Sequence, residues 1–258
     1  RFADEVFATR AVILLMGQVD PWTRTVDTSQ KTLANRIEQA RQQFDLEAAA
    51  QGTVFYGING LMQSRELSIL RREMNTFLEP LEQPGNITSV NLAGFITRII
   101  SSLLGDREAS DGADARQLPI NNPSDAFAFA VVYALRSWYA ILFNDFNGAA
   151  NTLELMRQYS PALSSSPLAL LHATCEAIVA LRTEQPRAMA TATRCRALLV
   201  RAETAGSRFA ASKRWIVEAE MAWSKDESTA ALEAWEKAAE AARRAGLAAD
   251  ETLAYELA

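Results

Sequence analysis

The single histidine of this sequence is its first candidate for a metal-binding or catalytic residue. His172 is followed by Cys175 and Glu176 three and four residues later, so in a helix all three side chains share one face. Such a group is typical of half a metal site, or of a cysteine–histidine pair in a nucleophilic enzyme. However, a chain with one histidine and two cysteines supplies too few ligands for a zinc site. Cys175 also falls on an apolar stripe with Leu168 and Leu171, which favours packing in the core over catalysis.

Paired carboxylates are the next group whose side chains suit acid–base chemistry. Glu218 with Glu220, and Asp250 with Glu251, lie in charge-rich helical or capping segments. Nothing around them indicates a closed cleft that would raise the pKa of either partner. Phosphate-binding loops of the forms G-x-x-x-x-G-K-[ST] and G-x-G-x-x-G are absent from the sequence. The residues therefore predict a protein that is not an enzyme and that uses no metal and no cofactor.

The composition is typical of a globular chain without a direct role in nucleic-acid binding. The 258 residues are 49% hydrophobic and carry a formal net charge of −5, whereas binding to phosphates needs concentrated Lys and Arg. Arg194, Arg196 and Arg201 have no interleaved aromatic residues, which indicates a solvated helix face. The two cysteines form no disulfide framework, so a cytoplasmic location is expected. No apolar run reaches the roughly 18 residues of a membrane span, since Arg136 interrupts the best candidate.

The elements that position these residues are predicted to be helices with a repeating pattern. Ala231, Trp235 and Ala238 keep the small-x3-aromatic-x2-small spacing of the second helix of a tetratricopeptide hairpin. Because residues i, i+4 and i+7 share one helix face, the small side chains let a partner helix approach closely. A second copy comprises Asp145, Phe146, Ala149, Leu153, Met156 and Pro161, and a third, weaker copy comprises Leu33, Ile37, Ala40 and Phe44. This recurrence predicts a stack of helix hairpins, which usually holds other molecules rather than transforming them.

The predicted fold is all-α, a right-handed superhelical array of antiparallel helix hairpins, or tetratricopeptide-like α-solenoid. Helical hairpins are expected over residues 1–105, a polar flexible loop over 106–123 and more regular hairpins over 124–258. We expect these parts to form one continuous solenoid.

Glycine and serine residues predict where the helices meet and end. Gly52, Gly57 and Gly60 lie inside one helical pattern, which indicates close contacts between helices. Ser64 is predicted to cap the start of the fourth helix. Gly246 is predicted to follow the end of the helix that begins near residue 226.

The residues 124–258 resemble one particular helical region. The run 223–238, the Ala-Arg-Arg-Ala-Gly that ends at 246 and the run 251–258 are similar to the tetratricopeptide-like segment of large multidomain signal-transduction ATPases. Residues 143–150 resemble that family's Phe-Gly-Asp-Tyr-x-x-Ala turn, with Asn144 in place of the glycine. In the family, a Ser/Thr kinase-like domain and a nucleotide-binding switch ATPase precede the helices, and a sensor domain with a histidine kinase or nucleotide cyclase follows them.

The resemblance implies a non-catalytic interaction or sensing scaffold. The chain begins at Arg1-Phe2 and stops inside an apparent helix at Ala258, so we expect an internal segment of a larger signalling ATPase or kinase. Its expected partners are a protein or peptide and the adjacent domains of its parent, and a small-molecule effector is also compatible. The motifs are shared in part with maltose-regulator-type transcription activators, so an effector-binding domain of such an activator is the alternative. An enzyme that uses His172 and its neighbours ranks last.

Four side chains are predicted to bind the partner. Trp138 and Trp215 belong to first helices of hairpins, which line the inner surface of such arrays, and Arg136 and Arg214 lie close to them in sequence. A helix or an extended peptide would dock there through the aromatic anchors.

Overall fold

The computed structural model describes residues 2–22, 26–81, 88–106, 120, 122 and 124–258, and its regular structure there is entirely helical. The α-helices are α1 Phe2–Leu14, α2 Val26–Gln42, α3 Leu46–Met62, α4 Leu67–Leu78, α5 Thr88–Leu103, α6 Ala126–Leu142, α7 Phe146–Met156, α8 Leu168–Arg182, α9 Ala188–Thr204, α10 Ala210–Trp223, α11 Ser228–Ala245 and α12 Ala248–Leu257. A π-helical turn at Leu15–Val19 and 3-10 turns at Asp20–Trp22, Glu79–Leu81 and Ser160–Leu163 complete the list. The predicted all-α class is confirmed for these residues. Most of the predicted loop at 106–123 lies outside them.

Two units make up the chain, residues 1–132 and residues 133–258, and the division falls within α6. In the first unit α3 is the central helix, since it packs against α1, α2, α4 and α5. Its glycines lie against large side chains: a Cβ on Gly57 would come within 2.8 Å of Ile96 Cγ2, and one on Gly60 within 2.6 Å of Leu70 Cδ1. The predicted close helix contacts at these glycines are therefore confirmed.

In the second unit each helix from α7 to α12 packs against the next, and two further contacts join alternate helices. Helix α8 also packs against α10, and α10 also packs against α12. The predicted motif on α11 is buried, with Ala231 and Ala238 fully inaccessible and Trp235 only 2% exposed. Among the helices that the structure describes, none combines the length and the apolar character that crossing a membrane requires.

Helices in both units end in one kind of turn. A residue with positive φ follows the helix, and the N–H of the next residue donates to the carbonyl five positions before it. At the end of α6, for example, Asn144 has a φ of 59° and Asp145 N donates to Ala140 O at 2.9 Å. The residues in this left-handed position are Phe44, Ser64, Gly105, Asn144, Glu184, Gly206, Asp226 and Gly246. This is the Schellman arrangement, which satisfies carbonyls that the helix leaves without a partner.

These turns correct two predictions and confirm a third. Gly246 follows α11 with a φ of 69°, as predicted. Ser64 does not cap α4, because its φ of 58° makes it the residue that ends α3, and Glu66 precedes α4 instead. Phe44 does not extend the buried stripe of α2. The helix ends at Gln42, so Phe44 takes the left-handed position and is 89% exposed.

Candidate functional site

A cleft of about 380 Å³ lies between α7, α8 and α9 in the second unit. Helix α7 and the residue after it contribute Glu154 and Arg157. Helix α8 contributes His172 and Glu176, and α9 contributes Arg194. Five ionisable side chains from this part of the second unit therefore meet at one concave surface, and concave surfaces are where small molecules usually bind.

His172 is the least satisfied of these side chains. Its Nδ1 is buried and has no hydrogen-bond partner. Burial lowers the pKa of His172, and Arg194 lowers it too, although Glu176 opposes them by favouring the charged ring. The imidazole is therefore neutral at pH 7, and a neutral ring has one nitrogen that accepts and one that donates a hydrogen bond.

Glu176 holds two groups from α9. Its Oε1 accepts a hydrogen bond from Arg194 Nη2 at 2.6 Å, and its Oε2 accepts one from the Cys195 thiol at 3.4 Å. Burial first, and then the charge of Glu176, raises the pKa of Cys195 to about 12. The thiol is therefore protonated at neutral pH and acts as a hydrogen-bond donor, not as a nucleophile.

The structure separates the trio that the sequence singled out. His172 and Glu176 line the cleft, whereas Cys175 is buried at 2% exposure and has its thiol close to Ser137 of α6. Burial raises the pKa of Cys175 to about 12, so it behaves as the predicted core side chain. Within the described residues, no three or more His, Cys, Asp or Glu side chains are placed to hold a metal ion.

A second ion pair forms the other side of the cleft. Arg157 Nη2 lies 2.8 Å from Glu154 Oε2, and both side chains are more than half exposed. The pair joins neighbouring turns of one short segment, so it can open without moving a helix. The cleft thus carries two guanidinium–carboxylate pairs and one neutral imidazole.

The four predicted binding residues fall into two groups on different helices. Trp138 lies on α6 and is 6% exposed, so its ring is packed in the interior, and Arg136 is a half-buried neighbour on the same helix. On α10 the Arg214 guanidinium carbon lies 4.0 Å from the centroid of the Trp215 ring. Lys237 Nζ lies 5.0 Å from the same centroid. Trp215 is therefore already in contact with two cations of its own chain.

The sequence did not reveal two buried ion pairs in the second unit. Lys213 Nζ lies 2.6 Å from Asp250 Oδ2, and these side chains are only 2% and 8% exposed. Ser212 Oγ donates a further hydrogen bond to Asp250 at 2.6 Å. Arg182 donates two hydrogen bonds to the Glu220 carboxylate, at 2.5 and 2.8 Å, and the Glu220 side chain is 1% exposed.

The sequence showed no sign of an environment that raises a carboxyl pKa, but Glu220 and Asp250 are both buried, and burial raises the pKa of Glu220. Their cationic partners lie 38 and 37 residues away in sequence, so no local pattern reveals them. Arg182 also donates from Nη2 to the carbonyl of Leu257 at 3.0 Å, which ties the end of α12 to α8. The Lys213–Asp250 pair and the hydrogen bond from Arg182 to Leu257 thus fasten α12 to α10 and α8.

Comparisons of the chain with models of protein families, with curated proteins and with solved structures find no match.

Proposed function

We propose that this chain is a non-catalytic sensing scaffold within a larger signalling ATPase or kinase. It binds a protein segment or a small effector and passes the resulting change in helix position to the neighbouring domains. One observation carries the proposal: a single helix, α8, both lines the cleft and holds the last helix of the chain.

Helix α8 reaches from the cleft to the fastening of α12. His172, Glu176 and Val179 line the cleft, and Arg182, three residues later, is the last residue of the helix. Arg182 bonds both the buried Glu220 of α10 and the Leu257 carbonyl of α12. From Glu176 to Arg182 a helix rises by roughly 9 Å, and it moves as a rigid rod over so short a span. A ligand that shifts α8 would therefore shift the anchor of α12 as well.

The packing of the second unit supports a scaffold of stacked hairpins. Alternate helices α8, α10 and α12 contact one another in sequence, and the left-handed turn residues at 206, 226 and 246 recur at intervals of 20 residues. Regular units that contact only near neighbours are what a helical array requires. We propose that these hairpins continue the right-handed solenoid that the sequence predicts.

The chemistry of the cleft supports binding without catalysis. The thiol pKa values of Cys175 and Cys195 are raised to about 12, so neither thiol is a nucleophile near neutral pH. Glu176 is already engaged by Arg194 and by Cys195. What is left for a ligand is hydrogen bonding and charge pairing.

A variant that fills the cleft tests directly whether α8 relays a change in the cleft to α12. Thr191 of α9 lines the cleft, whereas Thr193 is exposed on the same helix and does not line it. Thr191→Trp should fill the cleft as a ligand does, and Thr193→Trp is the matched control. In the proposed relay, hydrogen exchange of the amides of α12 changes in Thr191→Trp and stays at the wild-type rate in Thr193→Trp. Equal exchange in all three proteins would end the proposal.

The proposed setting has a separate test. A kinase or a nucleotide-binding ATPase upstream and a histidine kinase downstream in the parent gene would support the signalling ATPase. A helix-turn-helix domain downstream would instead support the effector-binding domain of a maltose-regulator-type activator.

A further inference from the structure

We propose that the cleft between α7, α8 and α9 binds a small zwitterion, namely a free α-amino acid with an apolar side chain. The inference rests on the proposed function in taking this cleft as the ligand site. It adds the chemical class of the ligand, which the two ion pairs and the histidine of the cleft specify.

Charge balance in the cleft selects a ligand that carries both signs. Arg194 pairs with Glu176 at 2.6 Å, and Arg157 pairs with Glu154 at 2.8 Å. An anion that took one of these arginines would leave a carboxylate without its partner at the same surface. A cation that took a carboxylate would likewise leave an arginine. A zwitterion can replace one arginine–carboxylate pair by two new pairs, since its carboxylate binds the arginine and its ammonium group binds the protein carboxylate. Every charge then stays compensated.

The ammonium group has a defined place on α8. His172 and Glu176 are four residues apart on the cleft side of the helix. An ammonium group brings three donors, so it can bond the Glu176 carboxylate, and a neutral imidazole beside that carboxylate adds no like charge. The lowered pKa of His172 keeps the ring in this neutral form.

The carboxylate and the side chain of the ligand find complementary groups nearby. Arg194 presents a planar guanidinium that is 67% exposed, and such a fork binds a carboxylate through two parallel bonds. Leu153, Val179 and Pro186 supply the apolar part of the lining. A volume of about 380 Å³ is at the small end of the range for ligand pockets, which suits a molecule of amino-acid size.

L-Valine is the probe, because it combines both charged groups with a compact apolar side chain. Isovalerate lacks its ammonium group and isobutylamine lacks its carboxylate. Titrations of the complete 258-residue chain, followed by calorimetry and by amide chemical shifts, should show saturable binding of valine. Each analogue should bind at least about tenfold more weakly, since each loses one charge-assisted interaction.

Variants assign the binding to the cleft. Glu176→Gln keeps the shape of the side chain and should weaken valine about tenfold. Thr191→Trp should abolish binding, and Thr193→Trp should leave it unchanged. Glu240→Gln is the charge control, because Glu240 belongs to an exposed pair with Arg244 at 3.7 Å on α11, away from the cleft.

Each outcome of these experiments either supports or overturns the proposed amino-acid site. Equal binding of isovalerate and valine would show an anion site and overturn the proposal, as would no binding of valine or a wild-type affinity in Glu176→Gln. Failure of the relay is distinguishable, since valine would then bind the cleft while hydrogen exchange of α12 stayed the same.

Discussion

The ion pairs of the cleft lie in water, whereas those between α8, α10 and α12 are buried, although both sets join a basic to an acidic side chain. In the cleft the arginines are 76% and 67% exposed, whereas Lys213 and the Glu220 carboxylate are 2% and 1% exposed. Water screens the first set, so those pairs are weak and exchangeable. The second set is out of water, and removal of one partner leaves a buried charge without compensation. The difference divides the second unit into a surface that can exchange partners and an interior that cannot.

The largest expected effect is on the pair between Lys213 and Asp250. Asp250→Ala leaves the Lys213 ammonium buried, so it should lower the free energy of unfolding by about 3–5 kcal/mol. Urea denaturation measures the loss. Glu251→Ala is the control. Glu251 follows Asp250 in sequence, but its carboxylate pairs with Arg243, which is 61% exposed. That control should cost about 1 kcal/mol or less. A similar loss in both variants would remove the distinction between buried and exposed pairs.

A smaller loss is expected when Glu220 loses its partner. Arg182→Met should cost about 3 kcal/mol at pH 8, because Glu220 is buried. Arg196→Met should cost less, because Arg196 is 44% exposed and its partner Glu218 keeps its pair with Arg214. Burial already raises the pKa of Glu220, and removal of Arg182 should raise it further. When the folded pKa of a carboxyl lies above its unfolded pKa, the folded protein becomes less stable as the pH rises between these two values. The deficit of Arg182→Met should therefore shrink from pH 8 to pH 5, and a constant deficit would contradict this account.

The histidine of the cleft gives a pH dependence of opposite sign. The folded pKa of His172 is lowered, so the unfolded chain binds the proton more tightly. Stability from His172 is complete above the unfolded pKa of about 6.5 and decreases as the pH falls toward the folded pKa. Compared with His172→Gln, the wild-type protein should therefore lose more stability between pH 7 and pH 5. Parallel denaturation curves over that range would argue that the ring is solvated.

The smallest effect on stability should come from the exposed pair of the cleft. Arg157→Gln should change the free energy of unfolding by less than about 0.5 kcal/mol, since its partner Glu154 is 65% exposed. Thermal denaturation measures it. A loss of several kcal/mol would mean that the cleft is part of the rigid interior after all.

Much of the helical architecture could be predicted from the sequence, because its signals are local. The spacing of Ala231, Trp235 and Ala238 identifies one face of a helix, and that face is buried. The turns were harder to predict. Glycine marks the left-handed residue after α11, but Phe44 and Ser64 occupy the same conformation after α2 and α3. A side chain with a Cβ gives no warning there, since the backbone hydrogen bonds of the turn hold the conformation.

The candidate site could be predicted only in part. The sequence drew attention to His172 and Glu176 by their spacing, and both line the cleft. It offered no means of bringing Arg157 and Arg194 to them, because those residues reach the cleft from other helices. The binding role of Trp138 stays a prediction: an aromatic side chain looks the same in sequence whether it anchors a ligand or packs in the interior, and this one is 6% exposed.

By itself the sequence determined the helices and many of their buried faces, because periodicity and small side chains act over a few residues. Only the tertiary structure decided which charges are buried. Lys213 and Asp250 are 37 residues apart, and so meet only when α10 and α12 pack side by side. The same packing of consecutive helices leaves the ion pairs of the cleft in water. Exposure to solvent is a property of that packing and not of any local run of residues, so the tertiary structure alone separates the fixed charges from the exchangeable ones.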